Sequence, residues 1–340
     1  MSVPSAPSHR PIAVIGAGMA GSACAARLRE AGRSVVVFDK GRGVGGRMSS
    51  RRVETGHRFD HGAPHFALSS ESPDEFRRLV ETWKVSGVIT ARHDPSLEKM
   101  LDHELHATRS DRYYGSAGMN APCKQLLGDG PVHLSTRIKQ IIREPHAWTL
   151  VDEAENPYVG FETVILAVPS AQAAELLPTE LTKLRERVAA VRMLPRWVAM
   201  FGFDAPIWPQ QQDYVYVSDD GTGVTLDLYR TVANTVGEAW VVQADQHWSM
   251  AHLELPADIA LRRLTTLTSS VFGGRWREPA FAAAHRWRYA FVDQPLGEPC
   301  LLNDCGTIGL CGDWCVGWSV ESAFISGRAM AEAVLAMVRA

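Results

Sequence analysis

The stretch PIAVIGAGMAGSACAARLREAGRSVVVFDKGRGVGGR, Pro11 to Arg47, decides the fold. Ile12-Ala-Val-Ile15 is an apolar run that predicts a buried strand. Gly16, Gly18 and Gly21 follow in the spacing G-x-G-x-x-G, and Ser22 to Glu30, rich in Ala, Leu and Arg, predicts a helix. Ser34-Val-Val-Val-Phe38 predicts a second strand, and it ends on Asp39. An acid about 20 residues past such glycines is where a dinucleotide site needs a carboxylate for a ribose 2′-OH. Gly16 allows the tight turn, Gly18 lets the backbone approach a pyrophosphate, and Gly21 lets helix and strand pack closely. The helix then offers its unpaired N–H groups and partial positive charge to the phosphates, through the backbone of Ala17, Met19 and Ala20.

The run after Asp39 separates one class of dinucleotide from another. Lys40-Gly-Arg-Gly-Val-Gly45-Gly46-Arg47 can bring a second stretch of backbone to a diphosphate, and the planar fork of Arg47 suits phosphate oxygens. Arg42 reads as an ordinary solvated charge. The order G-x-G-x-x-G, acid, G-G-R resembles the glutathione-reductase-type FAD fold in its amine-oxidase branch. Phe59-Asp60-His61-Gly62-Ala63 is similar to the segment that lies beside the flavin in that branch, and Thr307 to Trp314 is similar to its C-terminal flavin motif.

The resemblance spans nearly the whole chain. It implies an α/β fold: an FAD-binding Rossmann-like domain of the glutathione-reductase type, with a second substrate domain built on a mixed or antiparallel sheet flanked by helices. It implies FAD as cofactor, held by Gly16 to Gly21, Asp39, Lys40, Gly45, Gly46, Arg47, Met48, His61, Gly62, Ala63, Gly312, Asp313 and Val320. Ile138 is implied to offer backbone groups to adenine, and the helix of about Glu321 to Arg339 to point its N-terminus at the flavin pyrimidine.

The FAD domain is expected to be discontinuous, over 10–68, 130–171 and 297–340, with the substrate domain at 72–129 and 172–296. Residues 1–9 have no apolar core and are expected to be a disordered lead-in, not a signal peptide. Within the substrate domain, helices are expected at Glu75 to Trp83, Thr179 to Val191 and Ala257 to Phe272. Strands are expected at Trp197 to Phe203, Tyr214 to Val217, Val224 to Arg230 and Ala239 to Ala244. Phe161 to Pro169 predicts one buried strand. Gly221-Thr-Gly223 lacks the third glycine and helix of a second nucleotide fold.

Composition narrows the rest. The 340 residues carry 46% hydrophobic and 21% charged side chains and a net charge of −3, which is ordinary for a globular protein and offers no basic field for nucleic acid. No apolar run approaches the ~20 residues of a membrane span. The six cysteines, Cys24, Cys123, Cys300, Cys305, Cys311 and Cys315, form no C-x-x-C and suggest core thiols and a cytoplasmic location. Cys311 and Cys315 are the one candidate redox pair. His61 and His65 are separated by Gly62 and Pro64, and His103-Glu-Leu-His106 lacks H-E-x-x-H spacing, so no metal is expected.

Within the branch, Gly16-Ala-Gly-Met-Ala-Gly-Ser22, Asp39-Lys40, Gly45-Gly-Arg-Met48 and Trp287-Arg-Tyr289 resemble the renalase family. That family oxidises dihydro isomers of NAD(P)H, reduced at ring positions 2 or 6, to NAD(P)+, and oxygen leaves as hydrogen peroxide. In this reading Trp287 packs near the substrate ring, and Asn120 and His247 are further candidates for the cavity. No catalytic acid or base is assigned, because hydride donation by a dihydropyridine needs none. Two other readings stay open: an FAD-dependent oxidase of a small amine, with Trp314 and Trp318 as an aromatic cage, and a non-catalytic FAD-binding sensor.

Overall fold

The computed structural model describes residues 9–92, 111–208, 213–218 and 223–339, and the chain divides into two compact units. Unit 1 comprises Met1–Gly46, Cys123–Met193 and Val292–Ala340; unit 2 comprises Arg47–Pro122 and Leu194–Phe291. The lead-in 1–8, His103, His106 and Gly221 lie outside the described residues.

Unit 1 is built on a six-stranded sheet. Its order is Leu301–Leu302, Ile308–Leu310, Thr163–Leu166, Ile12–Ile15, Val35–Phe38 and Val132–His133. Ile12–Ile15 pairs in parallel with Val35–Phe38 on one side and Thr163–Leu166 on the other. All four of its residues are buried, as expected of a parallel strand covered on both faces. The chain leaves this strand toward one neighbour and returns later on its other side. The order therefore reverses at its carboxyl end, where open α/β sheets bind ligands. The Met19–Glu30 helix packs along the C-terminal helix Val320–Arg339. At Gly327 the two approach so closely that a β-carbon would overlap the carbonyl oxygen of Ala20.

An antiparallel three-stranded sheet, Ile138–Arg143, Trp148–Asp152 and Pro157–Phe161, shares the core of the parallel one through Ile141, Trp148, Leu150 and Phe161. The expected single strand from Phe161 to Pro169 is thus two pieces. Phe161 closes the hairpin at a register shift opposite Trp148, and Thr163–Leu166 joins the parallel sheet. Helices Ser170–Leu176 and Thr182–Ala189 bury Ala173, Leu177 and Val188 in the same core. That packing places 172–193 in unit 1, where the sequence boundaries had the substrate domain begin at 172.

Unit 2 carries a five-stranded sheet in the order Tyr214–Val217, Leu226–Arg230, Glu238–Ala244, Met193–Phe203 and Phe281–Val292. Its first four strands pair antiparallel, with Tyr214 opposite Tyr229, Asp227 opposite Gln243, and Gln243 opposite Val198. The period-two alternation sorts side chains onto two faces. One face, with Ala199, Phe201, Leu228 and Val242, packs under the Ala257–Phe272 helix through Ala260, Leu264 and Phe272. The other carries Val198, Met200 and Val241, against which Phe59 packs. Phe59 belongs to the Arg58–Asp60 strand, paired with Ser50–Arg52. Its burial on that face draws 47–68 into unit 2, although those residues were expected with the FAD domain.

Candidate functional site

In unit 1 the glycines have physical reasons to be glycine. Gly16 has φ +112°, a region side chains avoid, and a β-carbon on Gly21 would overlap the Gly16 carbonyl oxygen. Gly18 differs: its nearest neighbours in that direction are the Gly45 oxygen and Gly46 Cα, each at 3.9 Å. The two glycine turns are joined by a parallel bridge between Gly18 and Gly45 and by Gly45 N–H donating to Ala17 O at 2.8 Å. Gly18 and Gly46 keep accessible surface, whereas Ala17, Met19, Ala20 and Gly45 are buried. The helix that starts at Met19 has no side-chain cap and no acid in its first turn. Its N-terminal positive end is therefore left for an anion.

Asp39 is tied into this turn. Its Oδ2 accepts from Ala17 N–H at 2.7 Å and its Oδ1 from Gly41 N–H at 2.6 Å. A carboxylate has about four lone-pair sites, so two bonds leave room for a ribose diol. The Thr136 N–H donates to Asp39 O and the Ser135 N–H to Gly41 O, both at 2.8 Å. These bonds bring the approach to Ile138 alongside the acid. The Ile138 side chain is itself buried, and Lys40 is exposed.

The C-terminal motif lies in the same unit. Ile308–Leu310 runs parallel to Thr163–Leu166 and ends at Cys311-Gly312-Asp313. Gly312 N–H donates to Ser326 Oγ at 2.9 Å, and Asp313 is buried. Val320 opens the helix to Arg339; Ser319 Oγ accepts from Ser322 N–H at 2.9 Å at that helix end. Trp314 is fully buried, and its Nε1–H donates to Val168 O at 3.0 Å, whereas Trp318 is 56% exposed. Trp314 is thus a core residue and not one wall of a cage. All six cysteines are free, Cys311 and Cys315 included.

Unit 2 holds the remaining candidates. Arg47 O accepts from Ala63 N–H at 2.8 Å, and Arg47 Nη1 donates to Ala290 O at 2.9 Å. Met48 is buried. Gly62 O accepts from Gln243 Nε2 at 2.8 Å and His61 O from Trp287 Nε1 at 2.8 Å. The His61 ring stacks on Trp287 at 5.3 Å and meets His285 edge-on at 5.1 Å. Burial, then the His285 charge, pushes His61 down to about 4, and burial and Arg51 push His285 down to about 4, so both are neutral at pH 7. His285 was not singled out from the sequence; its signal is the alternation His285-x-Trp287 on one strand face.

Asn120 is buried and follows Met119, whose N–H donates to Asp60 Oδ1 at 2.9 Å. Ser50 also donates to that carboxylate, and burial raises Asp60 above the ordinary carboxylate range. His247 is exposed on the Gln246–Ala251 helix, whose buried residues are Trp248 and Ser249, and nothing in the structure connects it to the His61 cluster. Among the described residues no group of three or more His, Cys, Asp or Glu side chains could hold a metal ion, and no helix is long and apolar enough to cross a membrane.

Arg47→Ala tests the guanidinium. A charge-assisted hydrogen bond contributes about 1.5–3 kcal/mol, so FAD should bind roughly tenfold to a hundredfold more weakly. Cofactor content after dialysis, read by absorbance, checks this. Unchanged retention would leave Arg47 a structural role, to which its bond with Ala290 O contributes.

Residues 14–83 match the family described as NAD(P)-binding Rossmann-like domain, and residues 66–335 match the family described as flavin containing amine oxidoreductase. Mouse (Mus musculus) renalase is 22% identical over 309 residues, covering 84% of this chain and 86% of that protein. The tRNA 5-methylaminomethyl-2-thiouridine biosynthesis bifunctional protein MnmC of Magnetococcus marinus is 27% identical over 210 residues. That alignment covers 49% of this chain, and the chain spans only 30% of that longer protein. Among solved structures, cyclohexylamine oxidase of Brevibacterium oxydans superposes with a TM-score of 0.70 at 15% identity, covering 98% of this chain and 100% of that one.

Proposed function

The chain belongs to the flavin-containing amine oxidoreductase family, and from that premise we propose that it oxidises the 2-dihydro and 6-dihydro isomers of NAD(P)H to NAD(P)+. FAD is the cofactor, and when bound it would supply a two-electron acceptor for the hydride and a route from there, with a proton, to oxygen as hydrogen peroxide.

The residues of unit 1 fit the dinucleotide. The open side of Gly18 and the uncapped helix N-terminus suit a diphosphate, and Asp39 suits a ribose diol. In the proposal Arg47 adds a positive charge for the diphosphate. His61, Gly62 and Ala63 are assigned to the flavin ring, together with Gly312, Asp313 and the helix that begins at Val320. In this assignment the first turn of that helix, capped by Ser319 and carrying Glu321, would lie beside the ring.

Donor handling is assigned to unit 2. Trp287 offers an aromatic face, held in orientation by its bond to His61 O. His61 and His285 are neutral at pH 7 and add no charge to that of Arg51, which acts on both. No side chain is given a proton-transfer step, since the donor gives up a hydride from carbon.

The observation that carries this choice of donor is the likeness to renalase over 84% of this chain and 86% of that protein. The amine reading keeps the support of the fold-level likeness to cyclohexylamine oxidase. It is weakened by Trp314, whose ring is packed in the core.

The test mixes FAD-loaded protein with each donor in the absence of oxygen. Both dihydro isomers are expected to bleach the flavin, and readmitted oxygen to restore the colour with formation of peroxide. Bleaching by simple amines and not by the isomers would replace this reading with the amine oxidase. A flavin that no donor reduces would leave the sensor.

A further inference from the structure

The C-terminal motif and the first glycine helix of unit 1 are joined at a pair of residues that sequence reading alone does not single out. Ser326 lies on the Val320–Arg339 helix and is fully buried. Its Oγ accepts from Gly312 N–H at 2.9 Å. Its own O–H is shared with the Cys315 thiol, which burial holds protonated. The next residue, Gly327, is the one on which a β-carbon would overlap the carbonyl oxygen of Ala20, in the first turn of the Met19–Glu30 helix. Ser326 thus holds the C-terminal motif, and its neighbour meets the glycine helix.

The bonds around Asp313 give Ser326 its leverage. Asp313 is buried and opens a single helical turn, Asp313–Val316. After it the turn is closed: Cys315 N–H donates to Gly312 O at 3.1 Å and Gly317 N–H to Asp313 O at 2.7 Å. Before it, Cys311 N–H donates to Leu166 O at 3.1 Å, at the end of the parallel pairing. Between that sheet bond and the turn stands Gly312 N–H, and its partner is a side chain. The Trp314 indole covers the position a Gly312 β-carbon would take. The Gly312 peptide is therefore fixed by packing in one direction and by the Ser326 hydroxyl in another. A buried N–H stripped of its partner is costly. Without the hydroxyl this peptide would turn to find another acceptor, and the Asp313 carboxylate would turn with it.

We infer that Ser326 is a positioning residue for FAD: by holding Gly312 N–H it sets the direction of the Asp313 carboxylate, which serves the flavin half of the cofactor. The inference rests on the assignment of Asp313 to FAD and deepens it. Ser326 touches no part of the cofactor in this scheme, so its effect is confined to the half that Asp313 serves. The adenosine and diphosphate half is left to Asp39 and the glycine turn.

Calorimetric titration of the full-length apoprotein with FAD and, separately, with ADP tests this. ADP carries the adenosine and diphosphate groups and lacks the flavin half. Ser326→Ala should bind FAD about tenfold more weakly and ADP within about twofold of wild type. A general loosening of unit 1 would weaken both ligands alike, so the ratio separates positioning from structure. Ser326→Cys keeps the volume but offers a weaker acceptor, and its FAD affinity should fall between those of Ser326→Ala and wild type. In the Asp313→Ala protein, Ser326→Ala should cause no further loss, since a residue that acts through another adds nothing once that other is gone. Native FAD affinity in Ser326→Ala, equal losses for FAD and ADP, or a fully additive loss in the double variant overturns the inference. If Ser326→Ala does not fold, Ser326→Cys carries the same comparisons, and failure of both to fold would make Ser326 a structural residue only. Native FAD affinity in Asp313→Ala is the distinct result: it removes the assignment itself, and the inference with it. None of these outcomes depends on the donor.

Discussion

Asp39→Ala is expected to weaken FAD binding by one to two orders of magnitude and, unlike loss of Arg47, to loosen both glycine turns as well. The carboxylate has two tasks. It accepts the N–H groups of Ala17 and Gly41, which shapes both glycine turns, and its remaining lone pairs suit the ribose. Hydrogen bonds to a charged group contribute about 1.5–3 kcal/mol each. Loss of a ribose bond alone therefore predicts about tenfold to a hundredfold. Titration of apoprotein with FAD measures the affinity, and thermal melting of the apoprotein measures the staple. A fall in melting temperature with near-native affinity would leave Asp39 only the structural task. Asp39→Asn keeps one acceptor oxygen and should fall between the two.

Gly21→Ala should cost the fold about 3 kcal/mol or more, at the upper end of overpacking penalties. The added methyl would run into the Gly16 carbonyl oxygen, with Gly16 C at 3.0 Å and the Ala167 methyl at 3.1 Å. These are backbone and short side-chain atoms, which cannot swing away. Gly18→Ala is the control. Its methyl meets nothing closer than 3.9 Å, so the apoprotein should melt as wild type does. That methyl would nevertheless stand in the space given to the diphosphate, so FAD affinity should drop. Equal melting of the Gly21→Ala and wild-type apoproteins would mean that the helix can move off the strand, and would refute the close-packing argument. Native FAD affinity in Gly18→Ala would move the diphosphate elsewhere.

Much of unit 1 was legible because its signals are local. Ile12–Ile15 was read with its observed ends, and Val35–Phe38 and the C-terminal helix to within a residue. Apolar runs, glycine spacing and a terminal acid each act over a few residues. Ala257–Phe272 was equally plain, since its apolar stripe repeats with helical period. The borders between the units were less plain. Phe59 is one aromatic residue in a short strand, and only its packing with Val198 and Met200 shows which core it joins. Leu177 and Val188 similarly side with Ile138 and Trp148, far away in sequence. The candidate site divides the same way. The glycines and Asp39 announce themselves, but the bonds of Asp39 to Ala17 and Gly41 do not. Gln243, which holds Gly62 O, is equally silent in sequence, since only strand register sets which sheet face it joins.

The order of strands in unit 1 also sets a timetable for folding. Ile308–Leu310 lies beside Thr163–Leu166, which itself waits to lie beside Ile12–Ile15. Contacts between such distant segments form slowly. This sheet therefore has all its members only once Ile308–Leu310 has joined strands that stand near the start of the sequence. The glycine turn after Ile15 and the motif after Leu310 thus come to share one sheet only when its most distant segments have paired.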